Sequence, residues 1–173
     1  THVAICGGGF AGLSVAKEIK SLNPLIDVTI IEQKKEFISC PFSNAYLGEV
    51  QDMKYENLTF SYQKAINSNG YRMIQGIITS IDRESKTIKT SDKTIKYDYL
   101  VMAPGIDYDY EAILKNPTTI FECMQKAPAG LKPGVETKKL KELIENFQEG
   151  NFIITVPSGP YKCPPGPYER ISL

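Results

Sequence analysis

At 173 residues the chain has room for one full domain, or for one domain and part of another. Its 42% apolar and 23% charged residues describe an ordinary globular protein, and Lys plus Arg equal Asp plus Glu at 20 each, which leaves no basic surplus to argue for a nucleic-acid partner. No apolar run approaches the roughly 18 residues that cross a bilayer. The chain starts at Thr1 with no Met and no signal-like segment, so it is expected to be a processed or trimmed product with any targeting peptide out of view.

The first stretch is also the most informative. Val3 to Cys6 is a short apolar run, and Gly7, Gly9 and Gly12 follow at G-x-G-x-x-G spacing before an amphipathic segment from Leu13 to Ile19. This predicts strand, tight turn and helix N-terminus. Gly7 permits the turn, Gly9 lets the backbone approach a pyrophosphate, and Gly12 lets helix and strand pack closely. The helix N-terminus offers unpaired N–H groups and a partial positive charge to phosphates. A second apolar run, Val28 to Ile31, ends in Glu32, about 20 residues past Gly12, where a carboxylate meets ribose hydroxyls. Asn23-Pro24 ends the helix between the two strands. The alternative is a Gly-rich turn in another α/β protein, but the strand and helix on either side favour a dinucleotide site.

From Lys34 to Gly48 the periodicity fails, and the segment is expected to be a loop at the carboxyl ends of the strands, where ligands bind in parallel sheets. Cys40 lies in it; the alternative for Cys40 is a half-buried structural thiol. Tyr55 to Asn67 is expected to be one helix, ended at Asn69-Gly70. Arg72 to Ile81 is expected to be one strand. Ser85 to Ser91 and Lys93 to Tyr97 form a hairpin around Ser91-Asp92, and Tyr99 to Met102 is a buried strand running into Ala103-Pro104-Gly105. Ile106 to Pro133 reads as a long excursion with short helical pieces, containing Cys123. Glu136 to Glu149 reads as a helix with Leu140, Leu143, Ile144 and Phe147 on its apolar face and Gly150 as its cap. Asn151 to Val156 is expected to be a strand, followed by a Pro-rich loop and the start of a helix.

The predicted fold class is α/β. It is a Rossmann-like FAD-binding domain of the two-dinucleotide-binding-domain, disulfide-reductase-like flavoprotein type, in which a β-meander replaces a helical crossover, with the start of a second such domain. The expected boundaries are 1–110 for an incomplete FAD-binding domain, 111–135 for a connecting excursion and 136–173 for the truncated second domain. The four cysteines include no C-x-x-C pair, and the single histidine, His2, is at an end expected to be frayed, so neither a zinc site nor a His-based triad is expected. Cys6, inside the first strand, is expected to be core packing.

Three segments point to a family. Cys163-Pro164-Pro165-Gly166-Pro167-Tyr168-Glu169-Arg170 resembles the flavoprotein subunit of flavocytochrome c sulfide dehydrogenase, of which sulfide:quinone oxidoreductases are relatives. Ser39-Cys40-Pro41-Phe42-Ser43-Asn44, followed by Gly48, is similar to the Cys-x-x-Ser-Asn segment of that subunit. Asp98 to Gly105 resembles the strand-plus-Gly motif common to such flavoproteins. The resemblance implies FAD as cofactor, joined through the sulfur of Cys40, with Gly7, Gly9, Phe10, Ala11, Gly12, Glu32, Gln33, Pro41, Ile78, Ala103, Pro104 and Gly105 as its other contacts. It implies that Cys163 is half of a redox-active disulfide beside the flavin. In that family the partner cysteine and a C-terminal Gly-Asp motif stand far downstream, and these 173 residues carry neither, so the chain is expected to be a fragment or its remainder a separate piece. Cys123 falls where quinone-coupled relatives carry a cysteine active in flavin attachment or sulfide chemistry; the alternative is a loop thiol.

The activity implied is oxidation of sulfide. HS⁻ opens the disulfide to a persulfide and a thiolate, electrons pass to FAD, and a c-type cytochrome or a quinone accepts them. The location implied is periplasmic, or peripheral at the cytoplasmic membrane through the missing C-terminal part. Pro164 and Pro165 each fix φ and remove an N–H, which stiffens the loop around Cys163. Two other readings stay open. One is an NAD(P)H-dependent flavin disulfide reductase, against which stands Val156-Pro157-Ser158-Gly159-Pro160 where a second glycine fingerprint is needed. The other is a flavin-binding fragment with no substrate chemistry of its own.

Overall fold

The computed structural model describes residues 1–112, 114–132, 134–156 and 163–172. Contacts group the chain into two compact units that interleave in sequence: Thr1–Phe37 with Phe60–Ile106, and Ile38–Thr59 with Asp107–Leu173. The loop expected at 157–162, Pro133 and the last residue lie outside the described residues.

The first unit opens as the glycine spacing predicts, with β1 (His2–Cys6), α1 (Phe10–Leu22) and β2 (Asp27–Glu32). The chain leaves this unit along β3 (Glu36–Ile38) and returns along β4 (Thr59–Ser61), which pair as a two-stranded sheet. Between them, in the second unit, lie α2 (Ser43–Leu47) and single 3-10 turns at Val50–Asp52 and Tyr55–Leu58. After β4 come α3 (Tyr62–Asn69), β5 (Arg72–Gln75), β6 (Ile78–Asp82), β7 (Thr87–Thr90), β8 (Thr94–Lys96) and β9 (Tyr99–Met102).

Four strands form a parallel sheet in the order β5-β2-β1-β9, with Val3 opposite both Val28 and Tyr99. Successive side chains of a strand point to opposite faces. Accordingly Val3, Ile5, Val28 and Ile30 bury against Ala16 and Tyr71 with the apolar sides of α1 and α3, whereas Ala4, Cys6 and Ile31 bury with Ile88, Ile95 and Tyr97 of the meander β6-β7-β8. Burial on both faces explains why the central strands read as unbroken apolar runs. Cys6 packs in the second of these cores, as expected, and burial pushes its thiol pKa up.

Several expectations fail locally, each for a physical reason. The single helix expected at Tyr55–Asn67 is a 3-10 turn, then β4, then α3. The side chain of Ser61 accepts a hydrogen bond from the Gln63 N–H and starts α3 only there, and Gly70, at φ 69°, ends it. The single strand expected at Arg72–Ile81 is two. Gly76 gives its N–H to the Glu32 carbonyl as the last bond to β2, after which the chain changes sheets. The segment at 34–48 contains β3 and α2 rather than loop alone. Tyr99–Met102 is a strand as expected, but it pairs with β1 at the edge of the sheet rather than being buried, with Tyr99 66% exposed. His2 is not frayed: it belongs to β1, its Nδ1 faces the Lys96 carbonyl at 2.6 Å and its Nε2 meets Thr29 Oγ1 at 2.9 Å.

The second unit continues through a 3-10 turn at Tyr110–Ala112, α4 (Pro117–Lys126), α5 (Val135–Glu145) and α6 (Gly166–Ile171). Asn116 caps α4 by accepting the Thr118 N–H, with Pro117 in the first turn as its fixed φ favours. The helix expected to run to Glu149 stops at Glu145. Asn146 caps it by returning both its backbone and side-chain N–H groups to the Glu142 carbonyl, so Gly150 is not the cap. Its buried face is also different: Thr137 and Lys141 are buried, whereas Leu143 and Phe147 are exposed. Lys141 replaces an apolar contact because its ammonium is saturated by the Leu47 carbonyl (3.1 Å), Glu49 (2.8 Å) and Glu145 (3.3 Å). The strand expected at 151–156 is not formed among the described residues; Phe152 and Ile153 are exposed, and Phe152 stacks edge-on with Phe147. No helix among the described residues is long and apolar enough to cross a membrane.

Candidate functional site

In the first unit the carboxyl ends of β1, β2 and β9 converge on the glycine loop. Gly7 gives its N–H to the Ile31 carbonyl at 2.8 Å, and Ala103 gives its N–H to the Cys6 carbonyl at 2.9 Å. The three glycines have separable roles. Gly7 sits at φ +111°, and a Cβ there would lie 2.1 Å from the Ala103 carbonyl oxygen. A Cβ on Gly12 would lie 1.9 Å from the Gly7 carbonyl oxygen, so α1 crosses β1 at a distance only glycine permits. A Cβ on Gly9 would meet nothing within 4 Å. That open side is where a ligand's phosphates can reach the backbone.

Gly9 is the N-cap of α1 and supplies no side-chain acceptor, and the first turn carries no acid. The N-terminal turn, with Phe10 and Ala11, therefore presents its positive end uncompensated, a setting that favours a bound anion. Glu32 is half-buried and holds the loop directly: Oε2 accepts the Gly8 N–H at 2.7 Å and Oε1 accepts the Lys34 N–H at 2.9 Å. Each carboxylate oxygen has a second lone pair for a ribose hydroxyl. Gln33 follows on the exposed side, and Pro104 and Gly105, at φ +80°, follow β9. Ile78 opens β6 and packs toward the meander core. These groups fit the ADP half of a dinucleotide: an open glycine, an uncapped helix end and a fixed carboxylate at the ends of adjacent strands.

Two features here were missed by sequence reasoning. Tyr62, 6% exposed, gives its hydroxyl to the Gly8 carbonyl at 3.0 Å. Burial first, and then the Glu32 carboxylate and Tyr71, push its pKa far above the ordinary tyrosine value. Beside it Phe37 meets Phe10 edge-on at 4.9 Å. A single tyrosine at the start of a helix leaves no trace in a periodicity.

The second unit holds the predicted cysteines other than Cys6. Cys40 is half-buried, its thiol directed to the Leu131 carbonyl at 3.1 Å, with Ser43 Oγ 4.0 Å away, and Pro41 is exposed beside it. Cys163 is exposed, in the turn that opens α6, where Gly166 returns its N–H to the Cys163 carbonyl at 3.0 Å. A Cβ on Gly166 would stand 3.3 Å from the Cys163 sulfur, so glycine there leaves the thiol room. Cys123 lies half-buried within α4 rather than in a loop.

The Ser39–Asn44 and Cys163–Arg170 segments meet within this unit although far apart in sequence. Asn44 Nδ2 donates to Glu169 Oε2 at 2.6 Å across 125 positions, and Arg170 Nη2 donates to Ser43 Oγ at 3.1 Å and to the Gly130 carbonyl at 2.8 Å. Burial lowers the Arg170 pKa, opposed by Cys40, Tyr108 and the carboxylates of Glu136 and Glu169. Tyr108 organises the floor of this region. Its hydroxyl accepts the Leu131 and Lys132 N–H groups at 2.8 and 2.7 Å and donates to Glu136 Oε2 at 2.7 Å. The carbonyl facing Cys40 and the one facing Arg170 are thus on a segment fixed by Tyr108.

Comparison with known proteins bears directly on this arrangement. The model of the pyridine nucleotide-disulphide oxidoreductase family matches residues 1–126. The chain belongs to that family. Residues 137–173 match a second family model, the central part of the sulfide dehydrogenase [flavocytochrome c] flavoprotein chain. The chain is 28% identical over 174 residues to the mitochondrial sulfide:quinone oxidoreductase of Mus musculus, covering 99% of this chain and 37% of the mouse protein. It is 54% identical over 44 residues to the flavocytochrome c sulfide dehydrogenase flavoprotein chain of Chlorobaculum thiosulfatiphilum, covering 25% of this chain and 92% of that one. Among solved structures, the sulfide:quinone oxidoreductase of Aquifex aeolicus superposes with a TM-score of 0.61 at 24% identity, over 84% of this chain and 33% of that one, a likeness of fold. The chain thus spans little more than a third of the mouse relative. The α/β fold class expected from the sequence, with the parallel sheet of a disulfide-oxidoreductase-type Rossmann domain, is the one found.

Proposed function

We propose that the protein to which this chain belongs is an FAD-dependent oxidoreductase that oxidises sulfide. The observation that carries the reading is the meeting of the two cysteine-bearing segments through Asn44–Glu169 and Ser43–Arg170. The relatives, a sulfide:quinone oxidoreductase and the flavoprotein chain of a sulfide dehydrogenase, support it. The FAD-binding part is assigned to 1–110, with Gly7, Gly9, Phe10, Ala11, Gly12, Glu32, Gln33, Ile78, Ala103, Pro104 and Gly105 as contacts, and the second nucleotide-type domain begins near 136; the family-model limits of 1–126 and 137–173 support a division of this kind.

FAD, when bound, supplies a two-electron sink that discharges to the acceptor in single steps. Cys40 is assigned as its covalent attachment point, with Pro41 as a neighbouring contact. Cys163 is assigned as one half of a disulfide whose other half lies outside these 173 residues. HS⁻ attacks one of the two sulfurs; the S–S bond breaks, a persulfide forms on one cysteine, and the other leaves as thiolate carrying the electron pair. The exposure of Cys163 and the glycine beside its sulfur favour such an attack. Cys123 is assigned a role in the same chemistry. A c-type cytochrome or a quinone is the acceptor, and the setting is periplasmic or at the cytoplasmic membrane surface.

Denaturing mass spectrometry with peptide mapping tests the reading, together with flavin absorbance on addition of sulfide. FAD mass on the Cys40 peptide and bleaching by sulfide are expected. Bleaching by NADPH or NADH but not by sulfide would replace the reading with that of a nicotinamide-dependent disulfide reductase. A flavin that neither reductant bleaches would leave a binding module.

A further inference from the structure

Gly8, within the glycine loop, is held by side chains at both its N–H and its carbonyl. Its N–H goes to Glu32 Oε2 at 2.7 Å, and its carbonyl receives the Tyr62 hydroxyl at 3.0 Å. The N–H lies in the Gly7–Gly8 peptide plane and the carbonyl in the Gly8–Gly9 plane, so the two bonds together fix both planes that flank Gly8. The second of these planes carries the N–H of Gly9, the N-cap of α1, so the Tyr62 bond sets the direction in which that N–H points.

Tyr62 suits such a role for three reasons. It is the first residue of α3, and Ser61 caps that helix by accepting the Gln63 N–H, so its backbone is pinned at the point where the side chain leaves. Its ring is buried, with Phe37 in edge contact at 6.5 Å between centroids, which leaves the hydroxyl no solvent to turn to. The Gly8 carbonyl can only accept, so the phenol must donate to it. Glu32 is tied into the same arrangement, because its second oxygen is held by the Lys34 N–H at 2.9 Å.

We propose that Tyr62 is a positioning residue for the ADP half of the dinucleotide. By fixing the Gly8 carbonyl it aims the loop N–H groups at the pyrophosphate and keeps the Glu32 carboxylate turned to the ribose. The inference rests on the dinucleotide reading of the site and adds to it a residue outside the glycine fingerprint. It holds whether the protein oxidises sulfide or another reductant.

The test is Tyr62→Phe in a Cys40→Ser background, where no thiol at position 40 holds flavin covalently. ADP affinity is measured by calorimetry, FAD affinity by flavin fluorescence, and the melting temperature of the ligand-free protein alongside. Tyr62→Phe is expected to weaken ADP and FAD about ten-fold each, the effect of leaving one buried carbonyl unpaired in an otherwise intact loop. Replacement of Tyr62 by 4-aminophenylalanine returns a donor and is expected to recover most of the loss. Affinities within two-fold of the parent, with only the ligand-free melting temperature lowered, would reduce Tyr62 to a structural role and overturn the proposal. If the parent itself binds neither ADP nor FAD, the dinucleotide reading falls and the proposal with it. Should Tyr62→Phe not fold, the 4-aminophenylalanine protein decides: ADP affinity within about three-fold of the parent is expected, and a loss of about ten-fold or more despite the restored donor overturns the proposal.

Discussion

Gly12→Ala and Gly9→Ala differ by one methyl group each, three residues apart on one loop, and the structure assigns them opposite consequences. At Gly12 the added Cβ lies 1.9 Å from the Gly7 carbonyl oxygen, whereas ordinary contact begins near 3.4 Å. The obstruction is backbone, and Gly7 is itself tied to β2 by its N–H bond to the Ile31 carbonyl. Helix and strand must separate by about 1.5 Å, which places the cost at the upper end of the ~1–3 kcal/mol typical of overpacking. Alanine's better helix propensity returns about 1 kcal/mol, leaving a net loss of about 2 kcal/mol. At Gly9 the methyl enters open space, and the backbone there, φ −78° and ψ −168°, suits any residue. Loss of glycine at an N-cap changes stability by less than about 1 kcal/mol. Urea unfolding of the flavin-free protein is the assay, with FAD binding measured on the same samples. Gly12→Ala is expected to lower the unfolding midpoint clearly. Gly9→Ala is expected to leave it close to the parent while weakening FAD at least ten-fold. A Gly12→Ala protein as stable as the parent would refute the close-approach argument, and a Gly9→Ala protein with unchanged FAD affinity would remove the phosphates from that loop.

Other consequences follow for the second unit. Tyr108→Phe strips an acceptor from the Leu131 and Lys132 N–H groups and a donor from Glu136, and is expected to cost about 2–3 kcal/mol in urea unfolding; a loss under about 0.5 kcal/mol would mean that water replaces the hydroxyl. Lys141→Met leaves the Leu47 carbonyl without its charged donor, and destabilisation by about 1–3 kcal/mol is expected. Burial works to lower the Lys141 pKa, but the hydrogen bonds it donates to Glu49 and Glu145 outweigh it and the net shift is upward. Its stabilisation is therefore complete below the unfolded-state value of about 10.4 and declines as pH rises through the higher folded-state value. Glu49, held down by its hydrogen bond to Lys141, and Asp107, held down by Lys132, shift the opposite way. Their contribution is present above the unfolded carboxylate pKa of about 4 and is lost as pH falls through the lower folded values. Unfolding followed across pH should show loss at both ends in the parent and a flatter alkaline limb in Lys141→Met; identical limbs would argue against the ion pair.

What the sequence determined by itself is what depends on neighbours along the chain. The β1-α1-β2 unit was legible because glycine spacing, an apolar run buried on two faces and Asn23-Pro24 act over a few residues. The hairpin at Ser91-Asp92 was legible for the same reason, and so was the family, because the Cys40 and Cys163 segments are local strings. Element limits that depend on distant partners were not. Whether Arg72–Ile81 is one strand or two was decided by the Glu32 carbonyl that takes the Gly76 N–H. The face that α5 buries was decided by the Leu47 carbonyl and Glu49, which turn a lysine inward against its composition. Only tertiary structure could bring Ser43 and Asn44 to Arg170 and Glu169, or Tyr62 to Gly8, since such hydrogen bonds join residues 54 to 127 positions apart and no periodicity encodes them. Local chemistry is written in order along the chain, whereas long-range hydrogen bonds depend on where a side chain lands once both ends have packed.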